Sequence, residues 1–157
     1  MKKACALIVV ITLIITLSSC VAFEDKVLKS LGKYKNHEFY TQGAFQDYTD
    51  YAKYYFAAVD FTDNEYFTKI QPSAIDSLNE HLDDFESLIE TYRENDPTRE
   101  IVVNYDFDRS LIDNEDYLFI YSEQYDPCND GNMVLANYDI YFFDIQTNTL
   151  YYFHNNI

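Results

Sequence analysis

The side chains here that could do chemistry are 27 carboxylates, three histidines (His37, His81 and His154) and three cysteines. Structural zinc needs Cys or His ligands at short, fixed spacing. The chain has no C-x-x-C pair, and Glu80-His81 has no second histidine four residues further on. His81 therefore reads as a flank of a helix face, and His154, between Phe153 and Asn155, as an end-of-strand residue. Cys128 lies in the turn-rich stretch Asp126-Pro127-Cys128-Asn129-Asp130-Gly131-Asn132, and since no histidine can be assigned to it, it reads as a bystander thiol. Calcium suits carboxylates and amide carbonyls. Asp126, Asn129 and Asp130 are the weak metal candidates, but Cys128 stands at position three of the would-be loop and Asn137 at position twelve, so an Asx-rich turn is the preferred reading. Carboxylate pairs such as Asp106 with Asp108, or Asp113 with Glu115 and Asp116, resemble acid/base pairs only in type. Glycoside chemistry needs two carboxyls held about 5–9 Å apart across a cleft, and an acidic chain produces neighbouring carboxylates by chance. With three glycines in all, phosphate-cradling loops cannot be written. No catalytic residue and no cofactor is assigned.

The elements that must position these groups follow from periodicity. Residues 24–35 read as a short helix with Val27, Leu28, Leu31 and Tyr34 on one stripe. After a turn around Gly43, Asp47–Val59 reads as a helix capped by Asp47, with Tyr48, Tyr51, Ala52, Tyr55 and Val59 on one face, although its density of aromatics also suits a strand. Glu65–Ile70 is a short strand candidate closed by Pro72. Ile75, Leu78, Leu82, Phe85, Ile89 and Tyr92 follow at alternating spacings of three and four, which predicts an amphipathic helix over 73–94 with Ser73 as its cap. Its outer positions are acidic, a pattern that reads as a solvated face. Four strands are then expected at Ile101–Phe107, Tyr117–Ser122, Tyr138–Ile145 and Leu150–His154, the last two joined as a hairpin through Gln146–Thr149. Helices first and strands after predict an α+β domain, with the helices on one face of an antiparallel sheet of about four strands.

The opening of the chain carries an address. Met1-Lys2-Lys3 is followed by an apolar run from Ala4 to Leu17 and then by Leu17-Ser18-Ser19-Cys20. The run is shorter than the roughly 20 residues a spanning helix needs and has the order of a signal peptide. Leu17-Ser18-Ser19-Cys20 resembles the lipobox of bacterial lipoproteins. That resemblance covers the signal alone and competes with an ordinary cleaved signal or an uncleaved stub. It implies cleavage between Ser19 and Cys20, lipidation of Cys20, and a mature chain of residues 20–157 held by its lipid on the extracytoplasmic face of the cell membrane. Two acyl chains, at about 0.8 kcal/mol per buried CH₂, make such an anchor stable. No family resemblance is evident for residues 21–157.

Without Lys2 and Lys3 the chain keeps nine basic against 27 acidic residues. So acidic a body repels phosphate backbones, and nucleic acid is excluded as a partner. The imbalance is uneven, because Lys26, Lys29, Lys33 and Lys35 outweigh Glu24 and Asp25 next to the lipid site. Beside an anionic membrane that collar would orient the domain; equally, it is the wet face of a first helix. The expected function is an exported, lipid-anchored binding or interaction module, with a basic protein as partner. The 16 tyrosines and 12 phenylalanines supply rigid contact area. A small extracytoplasmic hydrolase or carbohydrate-active enzyme, or an accessory subunit of a membrane complex, are the alternatives. A strong exposed tyrosine patch would favour binding, and a buried Asp/Glu/His cluster an enzyme.

Overall fold

The computed structural model describes residues 25–44, 47–125 and 134–156. Cys20, the signal before it and the loop holding Asp126, Cys128, Asn129 and Asp130 lie outside them. Residues up to Ser30 form a unit separate from the remainder. Its described part is a single helical turn, α1 (Lys26–Ser30), opened by Asp25, whose carboxylate accepts the backbone N–H groups of Val27 and Leu28. It is shorter than the helix expected over 24–35.

From Leu31 onward the chain builds one antiparallel sheet: β1 (Asn36–Ala44), β2 (Asp47–Tyr55), β3 (Thr68–Lys69), β4 (Tyr117–Tyr125), β5 (Val134–Asp144) and β6 (Thr149–Asn156). Their order across the sheet is β1-β2-β6-β5-β4-β3. The α+β class is as expected, but the sheet has six strands among the described residues, where about four were expected. Two of the extra strands are β1 and β2, which pair through the whole register Asn36↔Tyr55 to Ala44↔Asp47. Asp47–Val59 is therefore no helix. On β2, Thr49, Tyr51 and Lys53 point to one face and Asp50 and Ala52 to the other, and all five are buried. A strand covered on both sides has no clean alternation to read. Glu65–Ile70 contributes only the two residues of β3. Ile101–Phe107 is also a correction: its first part is a short helix, α3 (Glu100–Asn104), with Ile101 and Val102 buried. A β-branched run of this length fits either conformation, and packing decides between them.

The long helix α2 spans Pro72–Asn95. Pro72 occupies its first turn and Gln71 the N-cap position, so Ser73 is not the cap; a proline there has no N–H to leave unsatisfied. Leu78, His81, Leu82, Phe85 and Ile89 are buried along its inner stripe. Each such apolar side chain contributes about 1.5–3 kcal/mol on leaving water. They pack on Tyr51, Phe153, Tyr138, Ile140, Phe142 and Leu118, which come from the same face of β2, β6, β5 and β4. His81 is thus a core residue, not a flank: its Nδ1 lies 2.7 Å from the Ser77 carbonyl and its ring meets Tyr138 edge-on. Beyond α3, Phe107 seals the core against Phe142, Tyr151 and Phe153.

On the helix side, Lys53 is gripped by Glu38 at 3.0 Å and Asp106 at 2.7 Å. Burial acts to raise the Asp106 carboxyl, but hydrogen bonds from Lys53 and Tyr51 outweigh it and hold it below the usual carboxylate range. Tyr55, then Lys53, holds Glu38 low as well. Folded pKa values below the unfolded ones stabilise the fold above the ordinary carboxylate range, and that contribution is lost as pH falls through the folded values. Lys53→Met is expected to cost about 1–2 kcal/mol rather than the 3–5 of a fully buried broken pair, because Glu38 and Asp106 both reach water. Urea unfolding at pH 7 and pH 3 checks this, and the loss should shrink in acid.

The second face is covered in part by the segment between β2 and β3. Phe56 and Phe61 pack on Phe143, Phe61 stacks on Tyr117 with ring centroids 3.8 Å apart, and Phe67 meets Tyr141. The chain thus crosses one face of the sheet as an aromatic loop and the other as α2.

Candidate functional site

Three rows of side chains cross the second face, the first of them met by the aromatic loop at Tyr141 and Phe119. Strand register aligns Phe39, Ala52, Tyr152, Tyr141 and Phe119 in the first row. The second holds Thr41, Asp50, His154, Asp139 and Tyr121, and the third Gly43, Tyr48, Asn156, Asn137 and Glu123. Directly opposed residues on antiparallel strands sit with Cβ atoms about 4.5–5.5 Å apart, so Asp50, His154 and Asp139 are consecutive neighbours. None of the three rows contains a lysine or an arginine.

Asp139 organises the centre. One of its oxygens, Oδ1, lies 2.8 Å from His154 Nδ1 and accepts the Tyr152 hydroxyl at 2.7 Å. Burial first, then the Asp139 charge, pushes the Tyr152 phenol far above its ordinary value, so it stays a donor. A carboxylate can only accept, which places an imidazole proton on Nδ1. His154 Nε2 is buried without a hydrogen-bond partner among the described residues, and so is Oδ1 of Asp50. Asp50 is only 7% exposed. Burial raises its carboxyl pKa, with Asp139 reinforcing the shift and Thr41 and His154 opposing it. Tyr48 lies over His154, ring centroids 4.8 Å apart, and is itself exposed. Gly43 makes room for it: a Cβ there would lie 2.6 Å from the Tyr48 Cα and 2.2 Å from the Asp47 carbonyl, and its φ of +133° is one that side chains rarely adopt. Phe39, Tyr121 and Val134 are also exposed; Phe39 opens the first row and Tyr121 ends the second.

An aspartate whose folded pKa is raised favours the fold below its unfolded pKa and loses that contribution as pH rises through the folded value. Asp50→Asn keeps the shape without the charge. It is expected to raise the urea midpoint at pH 8 by more than at pH 4; a variant less stable than the parent at pH 8 would show that the Asp50 charge is compensated.

Of the residues singled out from the sequence, only His154 belongs to this cluster, and it stands within β6, not at its end. His37 stacks on Tyr54 and His81 is buried on the inner face of α2. Asp106 and Asp108 serve different ends: Asp106 holds Lys53, while Asp108 caps the turn Arg109–Leu111 through Ser110 N–H. Asp113, Glu115 and Asp116 are likewise split, since Asp116 is buried on backbone N–H groups and Glu115 pairs with Lys69. Asp50, Asp139 and Tyr152 were not singled out, and Tyr48 was read only as part of a helix face. Their signal is an alternation of polar and aromatic residues that becomes a cluster only once β2, β6 and β5 are known to be adjacent.

Among the described residues no three His, Cys, Asp or Glu side chains converge to hold a metal ion. No described helix is long and apolar enough to cross a membrane. No protein-family model, curated protein or solved structure matches this chain at a significant level.

Proposed function

We propose that this chain is a binding module, exported and held at the membrane by a lipid on Cys20, that takes a basic protein partner on the second face of its sheet. The observation that carries the reading is the Thr41–Asp50–His154–Asp139–Tyr121 row: carboxylates and rings, with no fixed cation beside them. A face of one charge sign steers partners of the other and suppresses wrong ones. Exposed aromatic side chains next to it supply contact area at low entropic cost.

A small hydrolase draws on the same residues, because Asp139 holds His154 in the tautomer a general base needs. Covalent hydrolysis would further need a side-chain nucleophile at Nε2, and no described side chain hydrogen-bonds it. The binding reading is therefore preferred.

The test is affinity capture with the full chain in detergent micelles as bait, run against the producing cell's surface and secreted proteins at low and high salt. One basic protein retained at both salts is the expected result. Retention of many basic proteins that all wash off in salt, or of none, would overturn the reading.

A further inference from the structure

We propose that the Asp50–His154–Asp139 row receives a single guanidinium group, so that the partner engages this face through an arginine side chain. The inference rests on the binding reading above and adds to it the chemical group that is recognised.

The Asp50 carboxylate supplies an unsatisfied acceptor at the centre of the row. Asp50 Oδ1 and His154 Nε2 are buried without partners among the described residues, and Asp139 meets the Tyr152 hydroxyl and His154 Nδ1 through Oδ1. Asp139 Oδ2 is left to accept, on a side chain that is 27% exposed and so within reach from outside. Buried polar atoms without partners are rare in folded proteins and each calls for a reason. Here the Asp50 and Asp139 carboxylates ask for the same complement, a group that brings several N–H donors and a positive charge.

Three cations could be considered. A metal ion needs ligands converging on one point, which the described residues do not provide. A primary ammonium has three donors but is compact and strongly hydrated, so stripping its water in a half-buried row is costly. A guanidinium has five donors in a plane, is weakly hydrated, and stacks on aromatic rings. The row offers such rings on both sides: Tyr48 over His154, and Tyr121 opposite Asp139. Tyr48 is exposed, so its ring is open to lie against the incoming plane.

The experiment titrates the full chain in detergent micelles with N-acetyl-arginine amide, N-acetyl-lysine amide and the uncharged isostere N-acetyl-citrulline amide, following the His154 ring resonances by NMR. The arginine probe is expected to give saturable shifts, to bind at least tenfold tighter than the lysine probe, and to lose at least tenfold in affinity in both Asp139→Asn and Asp50→Asn. Tyr48→Ala, an exposed change that leaves the core untouched, is expected to weaken it several-fold. The citrulline probe should not saturate. Absence of saturable arginine binding, equal binding of lysine or citrulline, or unchanged binding in Asp139→Asn would overturn the proposal. Repeating the capture with the Asp50→Asn/Asp139→Asn double variant separates the two levels. A partner held equally by parent and double variant removes the guanidinium site and leaves the binding module standing, whereas arginine binding without any captured protein does the reverse.

Discussion

Phe153→Ala is expected to cost about 3–5 kcal/mol, the usual loss for deleting a large aromatic from a packed core. Phe153 is fully buried and meets Tyr51, Phe85 and Phe107 at ring-centroid distances of 5.0–5.6 Å. It is the point at which β2, β6, α2 and the segment after α3 touch one another. A domain is typically stable by about 5–15 kcal/mol, so one substitution removes a large share of what holds this fold. With a urea slope of about 1–3 kcal/mol per molar, the midpoint should fall by well over a molar. Phe39→Ala is the control, because Phe39 is 47% exposed on β1 and surface changes usually stay within about 0.5 kcal/mol. A smaller drop for Phe153→Ala than for Phe39→Ala would mean that the core is wrongly placed. The site depends on the same strand: Phe153 faces α2 while Tyr152 and His154 face away, so losing the core contact should scatter the acidic row as well.

The second large effect is expected at Asp116, which is wholly buried. Its two carboxylate oxygens accept the backbone N–H groups of Asp113 and Ile145, each at 3.0 Å, while its own carbonyl accepts Ile70 N–H at 2.9 Å. One side chain thus ties the loop before β4 to the end of β5. Asp116→Ala leaves two donors without partners, and each buried unsatisfied group costs about 1–3 kcal/mol. A loss of about 2–4 kcal/mol follows. Asp116→Asn should fall between alanine and the parent, since its amide has one accepting oxygen where the carboxylate has two. Urea midpoints for the three proteins give the order directly, and an asparagine variant no better than alanine would show that one of the two bonds contributes nothing.

Much of the core was legible because its residues repeat with one period over a long span. The spacing of Ile75, Leu78, Leu82, Phe85, Ile89 and Tyr92 is enough to place α2, and β4, β5 and β6 fall where their aromatic and β-branched runs lie. What was not legible came from covered surfaces. Asp50 and Lys53 are buried polar residues inside β2, each satisfied or left orphaned by groups more than ninety residues away or from another element. A local pattern cannot separate such a strand from a helix rich in tyrosine. His81 shows the same limit from the other side: a histidine on a helix reads as surface until Tyr138 is seen to occupy the space beside it.

By itself the sequence determined the acidic charge, the exclusion of phosphate-binding loops, the lipobox resemblance at Cys20, the long amphipathic helix and the α+β class, because each is a property of composition or of neighbours along the chain. Only the tertiary structure decided that β6 returns to lie between β2 and β5. That placement aligns Asp50, His154 and Asp139 across three strands whose residues are up to 104 positions apart, and a constellation of that kind is made by register between strands, which no local spacing encodes.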